Sequence, residues 1–336
     1  MASLAAPAAA PAAAAGRKDP PAVIVAGPTA SGKSALALAL ARRLDGTVIN
    51  ADAMQVYRDL RVLTARPSAA DEALVPHALY GVRPAAEPGS AAWWRAAALE
   101  AMEAARAGGR VPILCGGSGL YLAALVEGLA DIPDPGPAAR AEARGLLASL
   151  GPAALHARLA AVDPVTAARL RPSDSQRIAR AYEVWRGTGR GLAAWQDAAP
   201  ERTAPGWRFA AITLDPPREA LRAAAAARFD AMLEDGAIEE VRALLRLGLD
   251  PALPLMRAHG VPELAGFLRG ELSLADAARR AVAATGRYMK RQSTWLRHHA
   301  LAPAGRAHMI HARSAGLAQF SERILAEIIE FIHSPG

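Results

Sequence analysis

The segment AVIVAGPTASGKS, residues 22–34, joins a run of five apolar residues to a glycine-rich turn. Its last eight residues fit the pattern G-x-x-x-x-G-K-[ST], after a predicted strand and at the start of a predicted helix. Glycines let backbone N–H groups curl around a phosphate, and the helix N-terminus adds a favourable dipole. The segment therefore predicts a phosphate-binding loop (P-loop) formed by Gly27, Pro28, Thr29, Ala30, Ser31, Gly32, Lys33 and Ser34.

Two side chains of this loop carry distinct chemistry. Lys33 supplies a point charge to a terminal phosphate, and the Ser34 hydroxyl can hold Mg²⁺, the one cofactor that we expect. Lys33 is one of three lysines among 39 basic residues, which indicates a need for a compact ammonium at this position. The loop predicts a phosphate ligand, but it leaves open whether that ligand is a nucleoside triphosphate such as ATP.

Short apolar runs alternate with helical patterns along the chain outside residues 134–200. Strands are predicted at 22–26, 47–50, 79–82, 111–115 and 208–214. Helices are predicted at 32–44, 93–107 (with Ser90 as its N-cap), 119–126, 217–247 and 274–299. This alternation is typical of the α/β class, here a P-loop NTPase-like parallel sheet flanked by helices.

Changes in composition divide the chain. Residues 132–137 contain three prolines and a glycine, and the following stretch is helical and arginine-rich without a convincing strand. We therefore expect a helical insertion domain at 134–200 within a catalytic core formed by 20–133 and 201–302. Residues 1–19 are rich in Ala and Pro and are predicted to be a disordered tail. Residues 303–336 are predicted to be a C-terminal tail with one packed helix.

The composition excludes several classes of protein. With 336 residues, 52% of them hydrophobic, the chain can form about two globular domains. The single cysteine, Cys115, excludes a disulfide framework and a multi-cysteine zinc site, and it favours a reducing cytosol. No segment is predicted to span a membrane, so we expect no membrane partner. We also expect the protein to be cytoplasmic and monomeric. The net charge of +7 permits a polyanionic partner but does not require one.

Polar residues after the later strands are further candidates. Asp52 follows the second β run at the predicted carboxyl edge of the sheet, where it could be a metal ligand, a general base or a loop cap. Gln55 can offer amide hydrogen bonds to the edge of a base. A second glycine turn at 116–121 includes Ser118, and such turns approach ligands closely.

Two basic segments could contact nucleic acid. Residues 176–180 place Arg177 and Arg180 on one helix face, for which a solvated surface is the ordinary alternative. Residues 257–299 contain eight Lys or Arg against three Asp or Glu, with Tyr288 and Trp295 among them. Basic residues beside aromatic ones suit a phosphodiester backbone with exposed bases. An amphipathic helix with a basic outer face is the alternative.

Several segments together resemble the tRNA dimethylallyltransferase (tRNA isopentenyltransferase) family, in the bacterial form. They are, in order, the P-loop, then NADAMQVY at 50–57, TARP at 64–67, EPGSA at 87–91, GGSGLY at 116–121, DSQRIARA at 174–181, RFDAML at 228–233 and KRQSTW at 290–295. The P-loop alone is unspecific, whereas the ordered series over about 22–298 is highly specific.

The resemblance implies transfer of a dimethylallyl group from its diphosphate to N6 of the adenosine just 3′ of the anticodon (position 37), in tRNAs that read codons beginning with U. It implies Asp52, Lys33 and Arg228 as catalytic residues, with Asp52 taking the N6 proton and Arg228 neutralising the leaving diphosphate. Thr64 and Arg66 would lie near the same diphosphate. Beside Mg²⁺, the implied partners are dimethylallyl diphosphate and the tRNA anticodon stem-loop.

The resemblance also implies a set of tRNA-binding residues. They are Asp52, Ala53, Met54, Gln55, Ser118, Arg140, Gln176, Arg177, Ile178, Ala179, Arg180, Arg257, Lys290, Arg291, Gln292, Trp295 and Arg297. The sequence departs from the family pattern at Val261 and Pro262, which lack the usual aromatic and cation, at Ala78 in place of a second His, and at Arg66 in place of Lys. These departures leave the RNA contact at 261–262 open.

Three alternatives remain at this point. The first is an isopentenyltransferase that acts on free adenine nucleotides. The second is a small-molecule kinase whose P-loop binds ATP, and the third is a non-catalytic RNA-binding P-loop protein. The helical insertion and the basic C-terminal stretch favour a large RNA acceptor.

Overall fold

The computed structural model describes residues 20–198, 206–313 and 322–334, so the predicted disordered tail at 1–19 lies outside the described residues. Its core is one six-stranded sheet in the order β3-β2-β4-β1-β5-β6, and every strand pair is parallel. The strands are β1 (Pro21–Ala26), β2 (Gly46–Asn50), β3 (His77–Ala78), β4 (Val111–Gly116), β5 (Arg208–Leu214) and β6 (Ala307–Ile310). The predicted α/β class is therefore confirmed.

Helices cover both faces of this sheet because its central strands are apolar on both sides. Ile24 of β1 faces one layer and Val23 and Val25 face the other, and all three are fully buried. The core helices are α1 (Lys33–Leu44), α2 (Ala69–Leu74), α3 (Ala91–Ala107), α4 (Gly119–Val126), α9 (Arg218–Glu234), α10 (Ala237–Arg246), α11 (Val261–Leu268), α12 (Leu274–His298) and α13 (Glu322–His333). Helices α1 and α13 lie on the Val23 side.

The insertion is helical, as predicted, and has its own small core. It comprises α5 (Gly136–Val162), α6 (Pro164–Ala168), α7 (Ser175–Thr188) and α8 (Leu192–Asp197). Leu155 and Leu159 of α5 are fully buried in a cluster with Ile178 of α7. This cluster contains no residue of the sheet, so the insertion packs largely on itself.

Helix α5 is long and apolar enough to pass a length-and-composition test for a membrane span, the one described helix that does so. It is not continuous, because Gly151 has a φ of 76° and is followed by Pro152. Neither half reaches the roughly 20 residues that a spanning helix needs. Moreover, Arg140, Glu142 and Arg144 lie in its first half.

The structure corrects the predicted elements at three places. The weak strand predicted at 79–82 is wrong, because β3 is the preceding pair His77–Ala78. The predicted helix 217–247 is two helices, interrupted at Gly236 with a φ of 95°. Helices α2 and α11 were not predicted. By contrast, the Ser90 hydroxyl accepts a hydrogen bond from Trp93 N (3.1 Å), which confirms that N-cap.

The segment 303–336 is more than a tail with one helix. The predicted helix exists as α13, but β6 also joins the sheet beside β5, with Leu214 opposite Ile310. The buried Arg306 lies just before β6 and connects β5 to the end of α13. Its guanidinium donates to Phe209 O (3.1 Å), Ser334 O (2.7 Å) and Ile332 O (3.0 Å). The bonds to Ile332 O and Ser334 O satisfy carbonyls at the C-terminus of α13. Because β6 runs parallel to β5 and β5 runs parallel to β1, β6 ends at the same sheet edge as the P-loop.

Candidate functional site

The turns after β1, β2 and β4 meet at the carboxyl edge of the sheet. Ala51 N donates to Cys115 O (2.8 Å), and Gly27 N donates to Gly116 O (3.3 Å). A Cβ on Gly116 would lie 2.1 Å from Ala51 O, so only glycine allows this approach. The register of a parallel sheet thus brings the predicted P-loop, the Asp52 turn and the second glycine turn to one place.

The P-loop has the conformation expected of a phosphate cradle. Ala30 and Gly32 have φ angles of 67° and 93°, which turn successive N–H groups toward one side. Lys33 Nζ donates to Pro28 O at 3.4 Å, a long bond that leaves the ammonium free to take a phosphate oxygen. Burial lowers the Lys33 pKa, and the Asp52 carboxylate opposes that shift. The Ser31 hydroxyl is buried without a hydrogen-bond partner in the described chain.

Two clefts open at this edge. The first, the P-loop cleft, has a volume of about 390 Å³. Its polar lining consists of Thr29, Lys33, Ser34, Asp52, Gln55, Thr64, Arg66, Asp71, His77, Tyr80, Arg228 and Arg313. The second, the apolar cleft, has a volume of about 570 Å³ and is lined in part by Met54, Leu63, Phe229, Met232 and Tyr288. The walls common to both clefts are Thr29, Asp52, Thr64, Ala65 and Arg228.

Asp52 is held at this junction by its neighbours. Its backbone N–H donates to Asn50 Oδ1 (2.8 Å), and its own Oδ1 accepts from Met54 N (2.9 Å). Its other carboxylate oxygen has no hydrogen-bond partner among the described residues. The turn is fixed further by Ala53 N, which donates to Ser118 Oγ (2.8 Å). One oxygen of Asp52 therefore caps the loop while the second remains available to a ligand.

The loop that carries Thr64 and Arg66 is anchored by a carboxylate that the sequence analysis missed. Glu240 of α10 accepts hydrogen bonds from three successive backbone N–H groups, those of Arg61, Val62 (3.0 Å) and Leu63 (3.0 Å). From the opposite side, Gln55 Nε2 donates to Thr64 O (2.8 Å) and Ala65 O (2.9 Å). No motif marks Glu240, because its role depends on the fold bringing α10 to this loop.

Four cations line the P-loop cleft, against the carboxylates of Asp52 and Asp71. Burial lowers the pKa of Arg228, and the neighbouring Arg313 guanidinium lowers it further. Burial also lowers the pKa of Arg66, whose guanidinium lies over Gly81. Sequence analysis predicted Lys33, Arg66 and Arg228 but missed Arg313, which follows the unpredicted strand β6. This concentration of positive charge suits an anion.

The Ser34 hydroxyl faces the P-loop cleft, where it is exposed. No group of three or more His, Cys, Asp or Glu that could hold a metal ion occurs among the described residues. Mg²⁺ usually takes one or two protein oxygens and completes its shell with phosphate oxygens and water. A single hydroxyl beside a phosphate cradle therefore fits Mg²⁺ that arrives with an anionic ligand.

Aromatic and basic side chains surround the far end of the apolar cleft. The His259 and Tyr288 rings lie 5.1 Å apart, and Arg291 lies over Tyr288 at 5.5 Å. Burial lowers the His259 pKa, Glu263 opposes the shift, and Arg291 adds to it. Burial raises the Tyr288 pKa to about 12, so its hydroxyl is protonated at neutral pH. The sequence analysis did not single out His259.

The structure places the predicted tRNA-binding residues in several different environments. Those that line the apolar cleft are Asp52, Ala53, Met54, Gln176, Arg257 and Arg291, whereas Lys290 is exposed on another face of α12. Gln55 lines the P-loop cleft instead, and Ser118 is buried behind Ala53. The exposed Arg177 lies close to Asp174, Arg180 pairs with Glu183, and Arg140 pairs with Asp134. Ala179 is partly buried on α7.

Gln292, predicted to contact tRNA, is 4% exposed, and both ends of its side-chain amide are hydrogen-bonded within the protein. Its Oε1 accepts from Thr29 N (2.9 Å), and its Nε2 donates to Gly117 O (2.9 Å). Gln292 therefore joins the P-loop to the second glycine turn.

Three further predicted contacts have structural partners. Ile178, predicted as a tRNA contact, is 0% exposed and packs in the core of the insertion. The Trp295 ring stacks on His299 at 4.1 Å, and its indole lies against Gly119. Arg297 forms an ion pair with the buried Asp215 (2.7 Å) while keeping about half of its side chain exposed.

The departures from the family pattern at residues 261–262 lie at the start of α11. There Val261 is buried in the core and Pro262 is exposed.

Comparison with known proteins points to one family. A model described as IPP transferase matches residues 55–299, and one described as isopentenyl transferase matches residues 21–75. The chain is 62% identical over 317 residues to a tRNA dimethylallyltransferase from Granulibacter bethesdensis, covering 94% of this chain and 99% of that protein. A tRNA dimethylallyltransferase from Gluconacetobacter diazotrophicus is also 62% identical, over 321 residues that cover 95% of this chain and 96% of the relative.

Solved structures agree. A full-length tRNA isopentenylpyrophosphate transferase from Bacillus halodurans is 30% identical, with a TM-score of 0.65 over 94% of this chain and 97% of that one. A eukaryotic dimethylallyltransferase whose structures capture it acting on tRNA is 26% identical, with a TM-score of 0.76 over 93% of this chain and 79% of that one.

Proposed function

The chain belongs to the IPP transferase family, and from this premise we propose that it transfers a dimethylallyl group from dimethylallyl diphosphate to tRNA. The acceptor is N6 of the adenosine immediately 3′ of the anticodon (position 37), in tRNAs that read codons beginning with U. The product is N6-(dimethylallyl)adenosine. The names of the relatives and of the structural neighbours support this reaction.

The observation that carries the proposal is the meeting of two unlike clefts at Asp52 and Arg228. A charged diphosphate suits the cationic P-loop cleft, whereas an isoprenoid tail and a purine suit the apolar cleft lined by Met54, Phe229 and Tyr288. The bond that breaks, between the allylic carbon and the diphosphate oxygen, would then lie at the junction. This arrangement separates the two halves of the donor and brings the acceptor to the carbon between them.

In the proposed reaction, the N6 nitrogen attacks the allylic carbon as the carbon–oxygen bond breaks. The electron pair of that bond goes to the departing diphosphate, and the N6 proton goes to the free carboxylate oxygen of Asp52. Since an exocyclic amine of adenine is a weak nucleophile, positioning and a base both matter. Asp52 is suited to be that base because its first oxygen is already fixed by Met54 N (2.9 Å).

The leaving diphosphate is where negative charge develops, so cations there lower the barrier most. We propose that the backbone of residues 27–34 and Lys33 hold the diphosphate, with Arg228 neutralising its charge and Thr64 and Arg66 beside it. Mg²⁺, when bound, would be held by Ser34 and would supply further neutralisation of the diphosphate. The same P-loop could bind ATP, which is the ligand that the kinase alternative requires.

A tRNA acceptor must bring its adenine out of the anticodon-loop stack to reach the apolar cleft. We propose that Arg257 and Arg291 at that cleft and the exposed Lys290 of α12, together with Gln176 and Arg177 of the insertion, contact the RNA. We also propose that the protein acts in the cytoplasm, where tRNA is used, and that it is a monomer.

The test is mass spectrometry of an unmodified tRNA transcript after incubation with the protein, Mg²⁺ and dimethylallyl diphosphate. The expected result is one added C5 unit on the adenosine 3′ of the anticodon. A transcript with guanosine at that position is the matched control and should remain unmodified. Parallel reactions contain AMP in place of tRNA, or ATP in place of the isoprenoid.

The other outcomes separate the alternatives. Modified AMP without modified tRNA would indicate an enzyme of free adenine nucleotides. Transfer to neither acceptor, with ATP hydrolysed or its phosphate moved, would indicate a kinase or an ATPase. Light scattering of the purified protein during size-exclusion chromatography tests the proposed monomer.

A further inference from the structure

Arg313 reaches the P-loop from the last strand of the sheet. Its Nε donates to Ala30 O at 3.0 Å, and its side chain lines the P-loop cleft together with Lys33, Ser34 and Arg228. The two terminal guanidinium nitrogens of Arg313 have no hydrogen-bond acceptor among the residues that the structure describes. The bond to Ala30 therefore orients the guanidinium through one of its five N–H donors, and the other four have no acceptor among the described residues.

The chain just before Arg313 is held in place by the buried residue Asp215. Asp215 N donates to Ile310 O at 2.8 Å, at the end of the β5–β6 pairing. The Asp215 carboxylate pairs with Arg297 (2.7 Å) and lies 3.9 Å from His311 Nδ1. Because β6 ends at the same edge as β1, this anchoring delivers Arg313 to the phosphate side of the molecule.

Arg313 and Arg228 both line the P-loop cleft, and neither guanidinium forms an ion pair with a carboxylate of the described residues. Arg228 is partly buried; burial lowers its pKa, and the nearby Arg313 guanidinium lowers it further. Two guanidinium groups that approach each other repel unless an anion lies between them. A diphosphate, with several negative charges, can accept from both groups at once.

We propose that Arg313 binds the diphosphate of the isoprenoid donor and of the pyrophosphate product, together with Arg228 and the P-loop. This inference rests on the proposed function for the identity of the anion, and it adds a third arginine to Arg66 and Arg228, the two that the family resemblance implies. Because Arg313 would contact the diphosphate and not the adenine, its loss should weaken donor binding without weakening tRNA binding.

The experiment compares Arg313→Ala with the matched control Arg222→Ala, which removes one charge from an exposed position on α9, the helix that carries Arg228. Titration calorimetry measures the binding of inorganic pyrophosphate with Mg²⁺, independently of prenyl transfer. Since hydrogen bonds to charged groups are strong, we expect Arg313→Ala to weaken pyrophosphate binding roughly 10- to 100-fold and the control to leave it unchanged. The KM for dimethylallyl diphosphate should rise in parallel.

A second variant separates ligand binding from a purely structural role. Arg313→Lys keeps the charge but cannot make the same Nε bond to Ala30, so its pyrophosphate affinity should lie between those of the wild type and Arg313→Ala. The tRNA affinity and the melting temperature without ligand should stay near wild type in both. Equal pyrophosphate affinity for Arg313→Ala and Arg222→Ala would overturn the inference, as would a loss of stability that accounts for the whole effect.

The two proposals can fail separately. If the wild type modifies tRNA and Arg313→Ala binds pyrophosphate normally, the role of Arg313 is wrong and the proposed function stands. If the wild type modifies no tRNA but loses pyrophosphate affinity on Arg313→Ala, the anion site stands and the proposed prenyl transfer is wrong.

Discussion

At the scale of single residues, Asp52 allows a sharp test because one of its oxygens has a structural partner and the other does not. Asp52→Asn preserves the side-chain shape and an oxygen that can accept from Met54 N. It removes the negative charge and the capacity to take a proton. We expect turnover to fall by a factor of about 10² to 10⁴, as is common when a general base is lost, while tRNA and pyrophosphate still bind. Single-turnover transfer with saturating substrates measures this.

Asp230→Asn is the control for this change. Asp230 is exposed on α9 and lines neither cleft. It alters the net charge by the same amount, so its turnover should match the wild type. If Asp52→Asn transferred the isoprenoid as fast as Asp230→Asn, Asp52 would be a loop cap and not the base.

Cys115 gives a second residue-level prediction, this time with a pH dependence. Burial raises the pKa of its thiol to about 11, although the Lys33 ammonium opposes the shift. Because the folded-state pKa is raised, the thiol is neutral below pH 11, and at pH 8 only about a thousandth of it is thiolate. We expect iodoacetamide to leave the native protein unlabelled at pH 8 and to label it at this single cysteine in urea. Intact-protein mass spectrometry counts the label, and equal rates in the two states would refute the burial argument.

At the scale of elements, the 61–66 loop depends on α10. The Glu240 carboxylate is the acceptor for the backbone N–H groups of Arg61, Val62 and Leu63. Glu240→Ala leaves all three donors without that acceptor, which costs roughly 1–3 kcal/mol of stability for a buried unsatisfied group. The loop that carries Thr64 and Arg66 should also become mobile, so we expect the KM for dimethylallyl diphosphate to rise more than kcat falls. Urea unfolding and steady-state kinetics measure the two effects.

The neighbouring Glu239 provides the control for the loop. Glu239 lies on the same helix but forms an exposed pair with Arg242 (2.9 Å), and such pairs contribute little. Glu239→Ala should therefore change neither the stability nor the KM appreciably. Similar losses in both variants would show that a general effect on α10, and not the three backbone hydrogen bonds, is responsible.

The limits of sequence analysis are also clearest at this scale. Strand β5 and helix α4 have the predicted bounds, because strong apolar runs and glycine turns define them locally. Strand β6 was missed, because its four residues, AHMI, are largely exposed and owe their conformation to pairing with β5. Arg313 was missed with it. For Gln292, the residue type indicated hydrogen bonding, but the face of α12 on which it lies, toward Thr29, is a tertiary property.

At the scale of the whole molecule, α12 connects the two clefts. Its 25 residues extend about 37 Å. Thr285, Tyr288 and Arg291 line the apolar cleft, and Gln292 binds the P-loop one residue further on. A helix that contacts the donor site on one face and exposes Lys290 on another can couple RNA docking to the position of the P-loop.

This arrangement predicts where the charge of +7 matters for RNA binding. Lys290→Ala removes an exposed cation next in sequence to Arg291, which lines the apolar cleft, whereas Arg280→Ala removes one about 15 Å earlier on the same helix. Both variants lower the net charge equally, so a long-range attraction would weaken tRNA binding equally in both. A direct phosphate contact by Lys290 instead predicts a loss of affinity confined to Lys290→Ala, with the salt slope of log K smaller by about 1. Filter binding over a range of salt concentrations distinguishes the long-range attraction from the direct contact. An unchanged salt slope for Lys290→Ala, or equal effects in both variants, would show that the RNA binds elsewhere on the surface.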